Sequence, residues 1–358
     1  MKNVSVIGIG KLGLCLSLNL EKSGYSVVGV DKDKRYVETL QDKSFLSNEP
    51  FVNELLSEAE NIKFSTNIED SLVNDIIFIV VPTPSTSDWR YDHKFIYEVA
   101  EKLIALGKQK TRKDVVINST TFPGLCDDLN TKMNPYNFVI SYNPEFIAQG
   151  SIVQDQLNCD MVLIGQYDNE AGEKIKKIYD DMCKSSPIFS LMTPKEAELT
   201  KLSVNCFLTT KISFANMIGD IAVRLGLDPN IVLNAVGSDS RIGNKYLKYG
   251  FGFGGPCFPR DNRALSKCAE DVGVEAIISN ATDVMNEKHL SYQIEHFVKN
   301  NTDKNIPVFI DHVTYKKESV LIEESQQLKF FIELKNLGYD MRISDDRPEV
   351  MEQIKHLL

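Results

Sequence analysis

The segment Val4-Ser5-Val6-Ile7-Gly8-Ile9-Gly10-Lys11-Leu12-Gly13 constrains this chain more than any other stretch. Val4 to Ile7 reads as a short buried strand, and the residues after Gly10 read as the start of a helix. Glycine at these three places has a specific use in a strand–turn–helix unit. Gly8 permits the tight turn, Gly10 lets backbone approach a pyrophosphate, and Gly13 lets the helix pack closely on the sheet. The helix N-terminus then offers N–H groups and a positive dipole end to phosphate. Gly8, Gly10, Lys11, Leu12 and Gly13 are therefore expected to hold a dinucleotide. Asp31 ends the next apolar run, where a carboxylate bonds both ribose hydroxyls and repels a 2′-phosphate. That favours NAD over NADP, although Lys32 and Arg35 temper the preference. A glycine turn without a ligand is the bland alternative.

Along the first half, short apolar runs alternate with helical patterns. Ser26 to Val30, Asp75 to Val80, Val115 to Asn118, Phe138 to Ser141 and Met161 to Ile164 read as strands. Lys94 to Leu106 and Asn169 to Cys183 read as helices. Such alternation predicts an α/β fold, with a Rossmann-type parallel sheet carrying helices on both faces. A long helical pattern then runs from Pro194 to about Leu225 and is closed by Gly226. Another helix is expected from about Val274 to Lys299. The tail returns to α/β character: a strand at Pro307 to Ile310, a helix from Glu324 to Leu337 capped by Gly338, and Met341 to Ser344. Three regions follow: residues 1–192 for NAD, 193–300 as a central helical region, and 301–358 as a second, smaller and shortened Rossmann-like domain.

The net charge of -10 argues against nucleic acid or an anionic membrane as partner. The longest uninterrupted apolar runs, such as Ile76 to Val81, are too short to span a bilayer. The N-terminus runs straight into the glycine motif, without the pattern of a signal peptide. Seven cysteines are scattered with no CxxC pair, and the five histidines are equally dispersed. This suits a reducing cytoplasm better than a disulfide framework or a zinc site, and no metal is expected.

One cysteine has unusual company. In GFGFGGPCFPRD, Gly250 to Asp261, glycines and prolines make both a helix interior and a strand unfavourable around Cys257. On the residues alone this thiol is a nucleophile, a metal ligand or an apolar filler. The other six cysteines read as buried, structural thiols.

The glycine loop, VVPTP (Val80 to Pro84), STTFPG (Ser119 to Gly124), NPEFIAQG (Asn143 to Gly150), AELTKLSVNCFLTTKISF (Ala197 to Phe214) and GFGFGGPCFPRD occur in this order over roughly residues 1 to 300. The set resembles the nucleotide-sugar dehydrogenases, the UDP-glucose/GDP-mannose dehydrogenase family, and the FIAQGSIVQD run looks closest to the UDP-glucose type. The resemblance implies an N-terminal Rossmann domain, a long central dimerising helix, and a C-terminal domain for the nucleotide. It also implies four-electron oxidation of a sugar C6 alcohol to a carboxylate with two NAD, in a cytoplasmic homodimer. A thiol fits that chemistry, because it turns the aldehyde into a thiohemiacetal whose second hydride loss gives a hydrolysable thioester.

The resemblance further assigns Cys257 as nucleophile, and Lys201 and Asn205 as donors to the C6 oxygen. Lys201 and Asn205 stand four apart and share a helix face; by pattern alone Lys201 is a solvated lysine. Asp261, Glu145 and Thr120 correspond to residues that handle the hydrolytic water and its protons. On the residues alone, Asp261 caps a helix starting near Arg260, and Thr120 caps a turn. Val81, Pro82, Thr83 and Thr120 are implied at the cofactor. Phe146, Ile147, Gln149 and Gly254 are implied at the sugar nucleotide, with Tyr246, Phe251 and Lys316. Gln149 stands where glutamate is common, and glutamine cannot take a proton. Arg241, in Asp239-Ser240-Arg241-Ile242-Gly243, corresponds to an arginine reaching the neighbouring subunit's substrate; a plain surface ion pair is the alternative. His312 and Glu323 fall where glycine and arginine are usual, and the chain stops soon after Asp345, which implies a shortened C-terminal domain. UDP-glucose is the expected substrate, with a UDP-N-acetylhexosamine or GDP-mannose as same-chemistry alternatives. A non-catalytic binding relative and a one-step β-hydroxyacid-type dehydrogenase are the readings from other classes. The cysteine loop argues against the last, because a single oxidation needs no acyl-thiol.

Overall fold

The computed structural model describes residues 2–357. Where the sequence suggests three regions, the chain forms two compact units, Met1–Lys201 and Leu202–Leu358. The division falls inside a single helix, Pro194–Arg224.

The first unit is built on eight strands: β1 (Asn3–Ile7), β2 (Ser26–Val30), β3 (Ile62–Ser65), β4 (Ile76–Ile79), β5 (Lys113–Ile117), β6 (Phe138–Tyr142), β7 (Met161–Gly165) and β8 (Ile188–Met192). Their order is β3-β2-β1-β4-β5-β6-β7-β8. The order reverses between β1 and β4, which makes their carboxyl ends the switch point where such sheets open a crevice. The glycine loop leaves β1 and Val81-Pro82-Thr83 leaves β4, so the topology sets these two motifs side by side. Every pairing is parallel except β6 with β7, which meet at one antiparallel pair, Tyr142 and Gly165. The expected Rossmann-type parallel sheet is present, with this one antiparallel seam. Strands β3 and β8 escape the sequence pattern because each is short and partly exposed.

Apolar residues on both sheet faces give two cores. One joins Val4, Val6 and Phe78 to Leu14 and Leu18 of the first helix, Lys11–Lys22. The other joins Ile77, Ile79 and Ile117 to Ile96, Leu103 and Leu129. Burial of strands on both sides explains their nearly continuous apolar runs.

The helix Pro194–Arg224 has both ends written in its sequence. Thr193 and Glu196 form a capping box: the Glu196 carboxylate accepts from Thr193 N at 2.8 Å, and Thr193 Oγ1 accepts from Glu196 N at 3.4 Å. Pro194 takes the first helical position, where its missing N–H costs nothing. At the far end Gly226 adopts φ +71°, with Leu227 N bonded to Ala222 O at 2.9 Å, the closure that glycine makes easy. By length and composition this helix could cross a membrane, with mean hydropathy 1.2 over an 18-residue window. The expectation drawn from uninterrupted apolar runs missed it, because its apolar residues are spread around the helix. Buried Asn205, Thr209, Ser213 and Asn216 interrupt them, as in a core helix that meets polar partners.

The second unit continues with helices Pro229–Gly237, Phe258–Asp271 and Ile277–Asn300. Two parallel strands follow, β9 (Val308–Ile310) and β10 (Met341–Ile343), with helix Gln326–Asn336 between them in sequence. The helix expected from Val274 starts at Ile277. The helix expected near Arg260 starts at Phe258, with Pro259 in its first turn, where proline is tolerated.

Backbone packs directly on backbone at the glycine loop of the first unit. A Cβ on Gly13 would stand 2.1 Å from the Gly8 carbonyl oxygen. Gly13→Ala is expected to cost about 1–3 kcal/mol of stability through overpacking. Denaturant unfolding followed by circular dichroism reads this, and an unchanged midpoint would contradict the packing argument.

Candidate active site

The glycine loop divides its labour as the spacing suggests. Gly8 has φ +88°, and a Cβ there would lie 2.4 Å from Val80 O. Gly10 caps the helix Lys11–Lys22, and a Cβ on it would meet nothing within 4 Å. Open space at the positive end of a twelve-residue helix fits a dinucleotide pyrophosphate. Asp31 follows β2 and accepts from Asp33 N at 3.0 Å. Lys32 is drawn aside over the Phe95 ring, 4.8 Å from its centroid, and Arg35 is exposed. These residues fit NAD.

Neighbouring strand ends are tied to this loop by short polar contacts. Ser119 Oγ accepts from Val81 N at 3.0 Å and donates to Val81 O at 2.7 Å, joining the loops after β4 and β5. Thr83 is buried beside them, and Thr120 is half-buried with its strand ended. Lys11 Nζ donates to Gln149 Oε1 at 3.2 Å, which links the glycine loop to NPEFIAQG.

Glu145 lies just beyond β6. Burial pushes its carboxyl above the ordinary glutamate range. Gln156 Nε2 approaches it at 3.4 Å, and so does the Tyr179 hydroxyl, which donates to Asn143 Oδ1 at 2.7 Å. Lys201 is not the solvated lysine of the bland reading. It is 5% exposed, donates to the Glu145 carbonyl at 2.5 Å, and stands 4.3 Å over the Phe146 ring. The carbonyl and the ring face hold the ammonium inside the first unit.

Two residues that sequence reasoning passed over support this arrangement. Glu198 is fully buried and accepts from Gly124 N at 2.5 Å, Cys126 N at 2.9 Å and Thr121 Oγ1 at 3.3 Å. It caps the helix Leu125–Met133, whose own cap Gly124 has no side chain, and so fixes STTFPG. The available signal was a glutamate one turn before Lys201. His93 accepts from Phe122 N at 3.4 Å, and burial pushes its pKa down to about 4, so the ring is neutral.

In the second unit, Asp261 is fully buried. It accepts from Asn205 Nδ2 at 2.6 Å and from Arg260 Nε at 3.0 Å. The expected capping role of Asp261 passes to Cys257: the helix begins at Phe258, and Asp261 N donates to Cys257 O at 2.8 Å as its first internal bond. Cys257 is exposed at that N-terminus, whose dipole favours negative charge on sulfur.

Two glycines of the loop before it have close neighbours, one of backbone and one of side chain. A Cβ on Gly254 would lie 2.4 Å from Glu324 O, and one on Gly255 would lie 2.7 Å from the Tyr315 ring. Asn286 bonds both backbone groups of Phe253, at 2.9 and 3.0 Å. His289, also unforeseen, bridges Asp220 at 2.9 Å and Gly250 O at 2.6 Å, anchoring the loop's start.

Four implied substrate residues make contacts inside the second unit. Arg241 forms an exposed ion pair with Asp239 at 2.6 Å, matching the plain surface alternative in this chain. Tyr246 has φ +63° and stands near Phe258, Phe251 packs on Phe330 with centroids 5.6 Å apart, and Lys316 is 3.9 Å from Glu318. Ile147 packs against the first core and is partly buried.

His93 gives a pH signature. Its folded pKa of about 4 lies below the ordinary 6.5, so the unfolded chain binds the proton more readily. Stability is then complete above about pH 6.5 and declines as pH falls toward 4, by at most about 3 kcal/mol. His93→Gln should flatten that decline in denaturant midpoints measured from pH 7 to 4. An identical slope in the variant would refute it.

Residues 2–183 match the NAD binding domain of the UDP-glucose/GDP-mannose dehydrogenase family, and residues 195–288 match its central domain. The chain is 32% identical to the UDP-glucose 6-dehydrogenase of Pseudomonas aeruginosa over 296 residues, covering 79% of this chain and 65% of that protein. It thus spans just under two thirds of that relative's length. A UDP-glucose dehydrogenase structure from Pyrobaculum islandicum superposes with TM-score 0.88 at 30% identity, covering 99% of this chain and 84% of that one. A UDP-D-ManNAc dehydrogenase structure from Pyrococcus horikoshii shares the fold, with TM-score 0.81 at 21% identity, over 97% and 85% of the two chains.

Proposed function

The chain belongs to the UDP-glucose/GDP-mannose dehydrogenase family, and from that premise we propose that it oxidises a nucleotide sugar at C6 to the uronic acid, with UDP-glucose as substrate. The observation that carries this reading is Cys257, an exposed thiol at a helix N-terminus, in a loop where Gly254 packs on the Glu324 backbone and Gly255 on the Tyr315 ring. A one-step alcohol dehydrogenase has no use for such a thiol.

NAD, held by the loop Gly8 to Gly13 and by Asp31, supplies the hydride acceptor for both oxidations. In the first, Lys201 and Asn205 steady the developing negative charge on the C6 oxygen as the alcohol proton leaves. The Cys257 sulfur then adds to the aldehyde carbon, forming a thiohemiacetal whose carbon gives up the second hydride. Water attacks the resulting thioester, the C–S bond breaks, and the thiol is regenerated beside the carboxylate product. Asp261, which holds the Asn205 amide, orients that donor. Glu145, with its raised pKa, is suited to exchanging a proton near neutrality. Gln149 contributes a hydrogen bond, with Lys11 on its oxygen, and no proton transfer.

NADH released per sugar consumed tests the proposal. Two per UDP-glucose is expected; one per sugar, or faster turnover of UDP-N-acetylhexosamine or GDP-mannose, would redirect it. Cys257→Ser should abolish the second oxidation while leaving NAD binding intact, and an undiminished yield of uronate would remove the thiol from the reaction.

The same reading makes the protein a homodimer through its long helix. Phe207, Phe214 and Ile221 recur every seventh residue and are 65%, 45% and 50% exposed, with Met217 and Leu225 beside them. An apolar stripe of that period suits a helical partner. Light scattering of Phe207→Glu/Phe214→Glu is expected to give half the mass of the parent protein; equal masses would argue against this interface.

A further inference from the structure

The first unit brings together two thiols that stand far apart in sequence. Cys159 lies between the helix Ile152–Leu157 and β7, and Cys183 ends the helix Asn169–Met182. Their sulfurs are 3.2 Å apart across a separation of 24 residues. The two turns are also joined by other bonds. Lys184 N donates to Leu157 O at 2.6 Å, and Ser185 Oγ donates to Cys159 O at 2.9 Å. Both cysteines are half-buried, and Asn158, Asp160 and Lys184 around them are exposed, so a small reagent reaches the pair. A disulfide needs about 2.05 Å between sulfurs, so closure asks for an approach of about 1 Å.

The pair is wired to the site described above. The Cys183 thiol faces both Cys159 Sγ and the Gln156 carbonyl, the latter at 3.6 Å. The Gln156 side chain accepts from Asn19 Nδ2 at 2.9 Å and presents its own N–H₂ to Glu145 at 3.4 Å. Forming a disulfide removes the thiol proton from this chain and draws the two turns closer.

We propose that Cys159 and Cys183 are a reversible dithiol, that they close to an intramolecular disulfide, and that closure slows the reaction through Gln156 and Glu145. The oxidant class is a small-molecule disulfide. The contact with Cys183 lowers the pKa of Cys159, whose thiolate is the attacking sulfur. Cys159 attacks one sulfur of oxidised glutathione, that disulfide breaks, and one glutathione thiolate leaves. Cys183 then attacks the Cys159 sulfur and expels the second. Two thiols lose two electrons and two protons, and one oxidised glutathione becomes two reduced ones.

The effect on rate rests on the dehydrogenase reading; formation of the bond does not. The test incubates the full chain in glutathione buffer with the reduced form in large excess. A mixed disulfide on the single exposed Cys257 is then disfavoured, whereas the pair closes at high effective concentration. Maleimide labelling after denaturation should count five of the seven cysteines, and all seven after dithiothreitol. Peptide mapping should join Cys159 to Cys183. NADH release should fall severalfold and recover with dithiothreitol, while Cys159→Ser keeps its full rate in the same buffer. Seven labelled cysteines throughout would overturn the dithiol. An unchanged rate in the oxidised protein, or an equal loss in Cys159→Ser that places the damage at Cys257, would overturn the coupling. Absence of NADH from the reduced parent would be a failure of the dehydrogenase reading, and labelling would still decide the dithiol.

Discussion

Backbone packed directly on backbone, with no Cβ between, is the constraint on which the glycine loop of the first unit and the cysteine loop of the second are each built. In the first unit Gly8 lies against Val80 and Gly13 against Gly8, which sets the turn after β1 beside the end of β4. Only then does the helix Lys11–Lys22 aim its N-terminus into open space at Gly10. In the second unit Gly254 lies against Glu324, and this contact holds the cysteine loop under the segment 315–324. Glycine is costly in an unfolded chain because it has the most freedom to lose. The chain uses it where a larger side chain would push the functional groups apart.

Buried carboxylates supply the second layer of order, and they do three different things. Glu198 satisfies the N–H groups of a helix start that has no side chain of its own. Asp261 receives an amide and a guanidinium, so its charge is offset by two strong donors. Glu145 is approached at 3.4 Å by Gln156 and Tyr179, and burial raises its pKa. Burial raises the pKa of Glu198 too, but its oxygens are taken up by the backbone N–H groups that it holds in place.

The helix Pro194–Arg224 shows why composition misleads when read in runs. Its apolar residues meet two needs, a core inside the unit and an exposed stripe at Phe207, Phe214 and Ile221. Between them stand Asn205, Thr209, Ser213 and Asn216, each buried against a polar partner in the fold. Counting uninterrupted runs ignores the helix period, which distributes both sets of residues to their faces.

Much of the fold was legible because local rules and the global fold agree. The glycine spacing, the alternation of β1, β2, β4, β5 and β6 with helices, the Thr193–Glu196 capping box and the Gly226 stop are all short-range signals. The motifs also pointed to Cys257, Lys201, Asn205 and Asp261 without coordinates. Tertiary structure decided what no short-range signal carries. It turned β7 against β6 and buried Lys201 over Phe146. It enlisted Glu198, His93 and His289 as supports, and it brought Cys159 within 3.2 Å of Cys183. Such contacts join residues tens of positions apart. Spacing along a chain specifies a neighbour on the same helix or strand, whereas these neighbours are set by where separate elements come to rest.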